Sequence, residues 1–315
     1  MLSRTASSLV WMSRQIERAD GLARLIDMTA RLEALPATHQ GNHFFGWEHA
    51  LAAAGVHEAF YAVHVDADAE AVVRFLVFAP ENPSSIVRCL DMARQNARAV
   101  RSALTAEMWE TINGAWLELR SIKPMKVGSA GFARFLEWVR EVAMRMDGFG
   151  FRTMLRNDAF DFARIGILLE RADNMARLLA EEEPFLLDPN REAAAVVGVY
   201  PQCAALLQAA SAVASYHWVY RQDVKPHLVA DLLLFNQQQP RSIASCQIEM
   251  AHHLDRLALA YGHHGSAQRQ AHALCGMLSG RTLDTRALGD LRSFLREFLA
   301  RNHALGEAIA AQYLS

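Results

Sequence analysis

Glu17-Arg18-Ala19-Asp20 followed by Ala23-Arg24-Leu25 returns 153 residues later as Glu170-Arg171-Ala172-Asp173 followed by Ala176-Arg177-Leu178. A second set of matches accompanies it: Phe78, Pro83, Ser85, Ile86 and Cys89 correspond to Phe235, Pro240, Ser242, Ile243 and Cys246 at a constant offset of 157, each after an apolar run. Self-similarity in a fixed order marks a repeated unit, and with only two copies it predicts a pseudo-symmetric bundle, not a solenoid. The chain reads as two related helical halves, 1–155 and 156–315, forming one compact body.

Apolar residues recur at helical spacing throughout, and period-2 alternation is scarce, so the fold class is all-α, a multi-helix bundle. Met12, Ile16, Ala19, Ala23 and Ile26 form the core-facing stripe of a helix over 3–32. Asn82-Pro83 reads as an N-cap and first-turn pair opening a helix to 104, and Thr105 opens another to 119. A loop over 121–131 precedes a helix over 132–146 that Gly148-Phe149-Gly150 would stop. The second signature falls on a helix over 159–182, set apart by Pro184 and Asp188-Pro189 from helices near 201–219, 226–236, 241–261, 266–279 and 284–313. Gly262 and Gly280 fit helix C-terminal stops.

With 52% hydrophobic and 21% charged residues there is ample material for a core. A net charge of −2 removes any global attraction to nucleic acid or an anionic membrane, so an anion site must be local. The four cysteines lie far apart without zinc-ligand spacing and read as reduced and packed. The apolar piece 9–12 is too short for a signal peptide, and the apolar stretch 193–213 is interrupted by Gly198, Pro201 and Gln202. A soluble cytoplasmic protein is expected. No phosphate-binding loop, dinucleotide fingerprint or nucleophile elbow occurs, so no cofactor is expected.

On a helical wheel Glu17 and Arg24 lie about 20° apart, two turns along, with Ser13, Asp20 and Gly21 nearby and Arg14 at the margin. Glu170 and Arg177 repeat the spacing while their surroundings differ. A freely solvated face has no physical reason to keep that pattern, which leaves two readings: a buried Glu/Arg network between the halves, or the lining of a shared polar cavity. Arg94, Arg98 and Arg101 form a second constellation, an i, i+4, i+7 row within about 60° that reads either as a solvated face neutralised by Asp91 and carboxylates of neighbouring helices or as a grip for phosphate or carboxylate. The corresponding second-half positions are Ala251, Asp255 and Ala258, so the row belongs to one half. The helix start Pro240-Arg241-Ser242 offers free N–H groups and a hydroxyl, suited to capping or to an anion. Five histidines lie between His39 and His64 and eight between His217 and His303, in no ligand motif, so no metal site is expected.

These residues resemble the bacterial alpha-E domain family. Carrying the likeness are 1–6 with Trp11 and 16–19, Asn82-Pro83-Ser84-Ser85-Ile86, the run 93–98, the run 109–113, Gly166 with 169–173, Tyr220-Arg221, and Pro240-Arg241-Ser242-Ile243. They span almost the whole chain. One departure is Ile167, where the family's second copy usually carries an arginine equivalent to Arg14. The resemblance implies an all-helical protein associated with circularly permuted ATP-grasp amide ligases and transglutaminase-like peptidases, in systems that make or modify peptides. It implies no assigned activity for the domain itself.

Three functions follow as expectations. In the first, the chain is a helical accessory component that holds an anionic peptide or small molecule in a polar cleft. The ligand-binding candidates are Arg14, Arg24, Arg94, Arg98, Arg101, Arg177, Arg221, Arg241 and Ser242. In the second, Glu17 or Glu170 is the general base of an enzyme for amide transfer or hydrolysis, which the neighbouring arginines oppose by lowering a carboxylate's pKa. In the third, the charged stripes belong to a structural scaffold.

Overall fold

Each signature lies on a long helix, and these two helices form the centre of the molecule. In the computed structural model, which describes residues 1–35, 46–122, 125–187, 199–281 and 291–314, the first is α1 (Ser3–Glu33). Its stripe Met12, Ile16, Ala19, Ala23 and Ile26 is buried, as a 3.6-residue period requires of a core-facing helix. Asn157 opens the other long helix by accepting the Ala159 and Phe160 N–H groups. Asp158 and Asp161 follow in the first turn, where carboxylates suit the positive end of the helix dipole.

That helix runs Asp158–Leu186 and passes through Pro184, where the sequence reading ended it. A proline so close to the end removes only one ladder bond, and Phe185 and Leu186 beyond it are buried. Gly148 and Gly150 likewise fail to stop the preceding helix, which spans Ala130–Thr153. At Gly150 a Cβ would meet Met108 at 3.6 Å, so this glycine lies where another helix packs closely.

Fourteen α-helices are present among the described residues. Between α1 and the Ala130–Thr153 helix lie α2 (Trp47–Ala53), α3 (His57–Tyr61), α4 (Ala69–Val77), α5 (Ile86–Ala99) and α6 (Ala106–Leu119). The Ala130–Thr153 helix is α7 and Asp158–Leu186 is α8; then come α9 (Val199–Ala209), α10 (Val213–Tyr220), α11 (Pro226–Phe235), α12 (Ile243–Tyr261), α13 (Ser266–Leu278) and α14 (Leu291–Ile309). Helices α5 and α7 pack on α1, and α12 and α14 pack on α8. The short helices cross over: α9 packs on α1, and α2 packs on α8. No helix among the described residues is long and apolar enough to cross a membrane. The expected features at His39, His43 and Asp188-Pro189, together with Gly198 and the start of a helix at 284, lie outside the described residues.

Two further boundaries differ from the sequence reading. Helix α5 starts at Ile86 behind Ser85, not at Pro83. Asn82 is fully buried in the turn before it, where Oδ1 accepts the Ser84 N–H and Nδ2 donates to the Phe75 carbonyl. The single helix expected over 201–219 is split at Ser211, whose φ of +54° is left-handed and ends α9.

Helices α1 and α8 run parallel, because their contacts advance together: Gly166 lies against Val10 and Ser13, Arg171 meets Glu17, and Asn174 meets Gly21. Gly166 sets how closely they approach. A Cβ there would lie 2.4 Å from the Val10 carbonyl oxygen and 3.0 Å from the Ser13 Cβ. The close approach places the side chains of both signatures across a single seam.

Candidate functional site

The glutamates of the two signatures do not pair with the arginines seven residues on. They exchange partners with the adjacent arginines across the seam. Arg171 donates from Nε and Nη2 to both oxygens of Glu17, each at 2.9 Å. Arg18 in turn grips Glu170, from Nε to Oε1 and from Nη2 to Oε2 at 3.0 Å. Two parallel N–H···O bonds are the strongest arrangement a guanidinium and a carboxylate can make. Both carboxylates are buried, Glu17 at 4% and Glu170 at 3% exposure. Buried charges of this kind persist only when paired.

Each glutamate also holds a second arginine. Arg241, just before the start of α12, reaches Glu17 at 2.9 Å and Asp20 at 2.6 Å. Arg14 reaches Glu170 at 3.0 Å. Burial by itself would raise the Glu17 carboxyl, but Arg171 and Arg241 overcome it and hold the group down to about 2. For Glu170 burial is again the opposing effect, and Arg18 and Arg14 together bring the group below the usual carboxylate range. Neither glutamate is poised as a general base near neutral pH. Cys89 and Cys246 lie beside the two pairs, and burial pushes both thiols up to about 12, which makes them poor nucleophiles.

One turn further along, the same seam opens into a cleft of about 220 Å³. Arg18, Arg24, Arg171, Arg177 and Arg241 line it, against the carboxylates of Glu170 and Asp173. Arg24 is held at two of its three nitrogens: Nε donates to Asp20 at 2.8 Å, and Nη1 donates to the Ala209 carbonyl and the Ser211 hydroxyl. Burial pushes the Arg24 pKa down from its ordinary value despite Asp20, and Arg241 pushes in the same direction. Arg177 is held more loosely. Its Nε donates to Asp173 at 2.7 Å, and its side chain is 39% exposed against 9% for Arg24. Asn174 also lines the cleft, with Nδ2 buried and lacking a hydrogen-bond partner.

The remaining candidates lie elsewhere. Arg94 donates to Asn113 Oδ1 at 3.0 Å and stacks on Trp116, 3.9 Å from its centroid. Arg101 stacks on Trp109. The row does not share one helix, because α5 ends at Ala99 and Arg101 starts a 3₁₀ turn. Neither these two nor the exposed Arg98 lines the cleft. Arg221 ends α10 in a left-handed conformation over the Trp218 ring, also outside the cleft. Ser242 is the N-cap of α12, accepting the Ser245 N–H and donating to the Asn236 carbonyl, so its hydroxyl is used in capping. His253 is paired with buried Asp161 at 2.8 Å.

The reading of the sequence passed over Arg18 and Arg171 as site residues, although both are in the repeated signature. Their partner roles were visible only as the repetition of an entire Glu-Arg dipeptide, which occurs at no other position in the chain. Ile167 lacks the second-copy arginine, and Arg241 supplies the second cation to Glu17 instead.

Two comparisons, with curated proteins and with solved structures, give no match. The family Alpha-E, described as a predicted alpha-helical domain with a conserved ER motif, matches residues 1–314. The chain has two Glu-Arg dipeptides, and they are the two that clasp each other across the α1–α8 seam. By the extent of that match, the chain belongs to the Alpha-E family.

Proposed function

We propose that the cleft between α1 and α8 binds the anionic group of a small molecule or of a peptide end, and that the protein is a binding component of a peptide-ligation or peptide-modification system. The observation that carries this reading is the loosely held Arg177 beside an unpartnered Asn174 amide, in a cleft whose five arginines are engaged by four carboxylates, Glu17, Asp20, Glu170 and Asp173. Five guanidiniums against four carboxylates leave one positive charge in a partly buried site, which an anion joining them would neutralise. Its volume of about 220 Å³ is below the roughly 300–1,000 Å³ of pockets for drug-sized ligands. A terminal residue with its carboxylate, or a compact phosphate, suits that space.

The cleft is pre-organised by the buried pairs behind it. Glu17 and Glu170 hold Arg171, Arg241, Arg18 and Arg14, so little ordering remains to be done when a ligand arrives. Arg177, the exposed one, is the arm that closes on the anion. In this reading the partners are an ATP-grasp amide ligase and a transglutaminase-like peptidase, as the family resemblance implies, and the two signatures are copies within a duplicated scaffold. The matched left-handed turns at Gly55 and Ser211 support duplication.

The test is calorimetry with inorganic phosphate and with N-acetylated tripeptides ending in a free carboxylate or an amide. Binding of phosphate or of the free acids, lost in Arg177→Ala while the melting temperature of the ligand-free protein stays put, is the expected result. Absence of binding by any probe would leave the buried pairs as a purely structural network, a reading that the burial of Glu17 and Glu170 also favours. Affinity capture of the tagged protein from its host addresses the partners, with recovery of an ATP-grasp ligase expected.

A further inference from the structure

A second site is built at the far end of α12, away from the cleft. Asp255 lies twelve residues beyond Ile243, the first residue of that helix, or about 18 Å along its axis. There it meets two histidines from other elements: His264, in the loop between α12 and α13, and His272, on α13. One ligand atom from each of the three lies within 4.8 Å of the others, and His272 Nε2 is 3.0 Å from Asp255 Oδ1. A tetrahedral zinc ion with bonds near 2.0–2.1 Å separates its ligand atoms by about 3.4 Å. One separation is 3.0 Å and none exceeds 4.8 Å, so modest side-chain rotations would bring the three atoms to that spacing.

The loop that carries His264 is anchored at both ends. Gly262 takes a left-handed φ of +67° that ends α12, and the His263 N–H returns to the Ala258 carbonyl at 3.1 Å. The Gly265 N–H donates to Gln268 Oε1 at 2.9 Å, and Gln268 Nε2 donates to the Leu254 carbonyl at 2.8 Å and to the Tyr313 hydroxyl at 2.7 Å. Gln268 is fully buried. Gly265 cannot be replaced without disturbing this fastening, since a Cβ there would lie 2.2 Å from Gln312 Oε1. The position of His264 is therefore set by a buried polar network and by the C-terminal turn.

We infer that Asp255, His264 and His272 form a binding site for a divalent transition-metal ion of the zinc class. Two imidazoles and one carboxylate are a donor set matched to such ions, and three protein ligands leave coordination positions open. Two of the three ligands, Asp255 and His264, border a surface depression that Ala258, Leu259, Gly262 and His263 also line. Magnesium and calcium, which prefer all-oxygen shells, are discriminated against. The site escapes detection in the sequence because its ligands are spaced by nine and eight residues and come from three elements.

The experiment is titration of the untagged, chelator-treated full chain with Zn²⁺ by calorimetry, and with Co²⁺ by visible absorption. Wild type should bind one ion at this site, and Co²⁺ should develop the ligand-field bands of a low-coordinate nitrogen and oxygen site. His264→Gln and His272→Gln should each weaken binding about 10-fold or more and abolish those bands. His303→Gln, which alters an exposed histidine on α14 that lies 3.5 Å from Glu307, should change nothing. Zinc should raise the melting temperature of wild type and leave that of the two site variants unmoved. All three ligand side chains are partly or largely exposed, so these variants fold. Absence of saturable binding, or binding that survives both substitutions, would overturn the assignment.

Discussion

Around Glu17 the two guanidiniums come from Arg171 and Arg241, whereas around Glu170 they come from Arg18 and Arg14. Only one member of each pair is the reciprocal partner from the repeated dipeptide. The other is supplied from a different place: from the start of α12 for Glu17, and from within α1 for Glu170. Where α8 carries Ile167, Arg241 takes over; Ser84, the residue 157 positions before Arg241, leaves that duty to Arg14. What both sides share is a buried glutamate reached by two guanidiniums, one of which, Arg241, also serves buried Asp20, and pairing of this kind is what keeps a carboxylate charged away from water. A requirement on charge balance can be met by several residues, and here each side meets it in its own way.

The sharpest way to break that comparison is to neutralise one glutamate at a time. Glu17→Gln should cost about 3–5 kcal/mol, because it leaves Arg171 buried without its two-bonded carboxylate and Arg241 with Asp20 alone. Glu170→Gln should cost less, since the Arg18 and Arg14 side chains are 24% and 23% exposed and can turn to water, against 9% and 16% for Arg171 and Arg241. Chemical denaturation measures both, and equal losses would show that exposure of the cations does not matter. The pH dependence has a definite sign. Both carboxylates are held below their ordinary value of 4.5, so their contribution is complete above about pH 4.5 and is lost as the pH falls below it, for Glu17 as the pH falls toward about 2. The acid limb of the stability curve should be flatter in Glu17→Gln than in wild type.

Next in size is the contact that allows the clasp to form. Gly166→Ala pushes a methyl against the Val10 carbonyl, 2.4 Å away, and should cost about 1–3 kcal/mol or more. Gly21→Ala meets the end of the Asn174 side chain instead, at 2.6 Å. That amide can swing aside, and the helix gains roughly 0.5–1 kcal/mol from losing a glycine, so the net effect should be near zero. Thermal melts of the pair distinguish a seam fixed by backbone contact from one that breathes.

Much of this architecture is legible in the sequence, and the boundary of legibility has a physical cause. The spacing of apolar residues gives the all-α class, and local signals give α1, α6, α11, α12 and α13 within a few residues, because Thr105, Pro226, Ser242 and Gly262 act where they stand. Gly148, Gly150 and Pro184 are local signals too, but packing outweighs them at the ends of α7 and α8. The clasp was not legible. A helical wheel compares residues along one helix and so joined Glu17 to Arg24, while its partner Arg171 lies 154 residues away. The surroundings of the arginine row at 94, 98 and 101 were illegible for the complementary reason: nothing local announces that Trp116 and Trp109 will occupy the faces of two of its members.

Arg24 and Arg177 extend the comparison to the cleft. Arg24→Ala removes a buried guanidinium that bonds Asp20, a carbonyl and a hydroxyl, and should cost about 2–3 kcal/mol. Arg177→Ala removes a half-exposed arm bonded to Asp173 and should change stability by about 1 kcal/mol or less. If the cleft binds anions through Arg177, the ranking reverses when phosphate affinity is measured per unit of stability lost.

The most discriminating change leaves every arginine of the cleft in place. Ser211 and Gly55 both sit in left-handed turns, at φ +54° and +69°, but only Ser211 has a hydroxyl to fasten its arginine. Gly55→Ser places a side chain where a Cβ would lie 3.1 Å from Arg177 Nη1, at a conformational cost of about 1–2 kcal/mol. It should fasten Arg177 as Ser211 fastens Arg24, and phosphate should then bind more weakly even though every arginine of the cleft is still present. Retained affinity would mean that the exposure of Arg177 plays no part in binding. Lost affinity, with Asp173 and Arg177 intact, would show that the difference between a pinned and an unpinned guanidinium is what turns one side of a charge-balanced seam into a binding site.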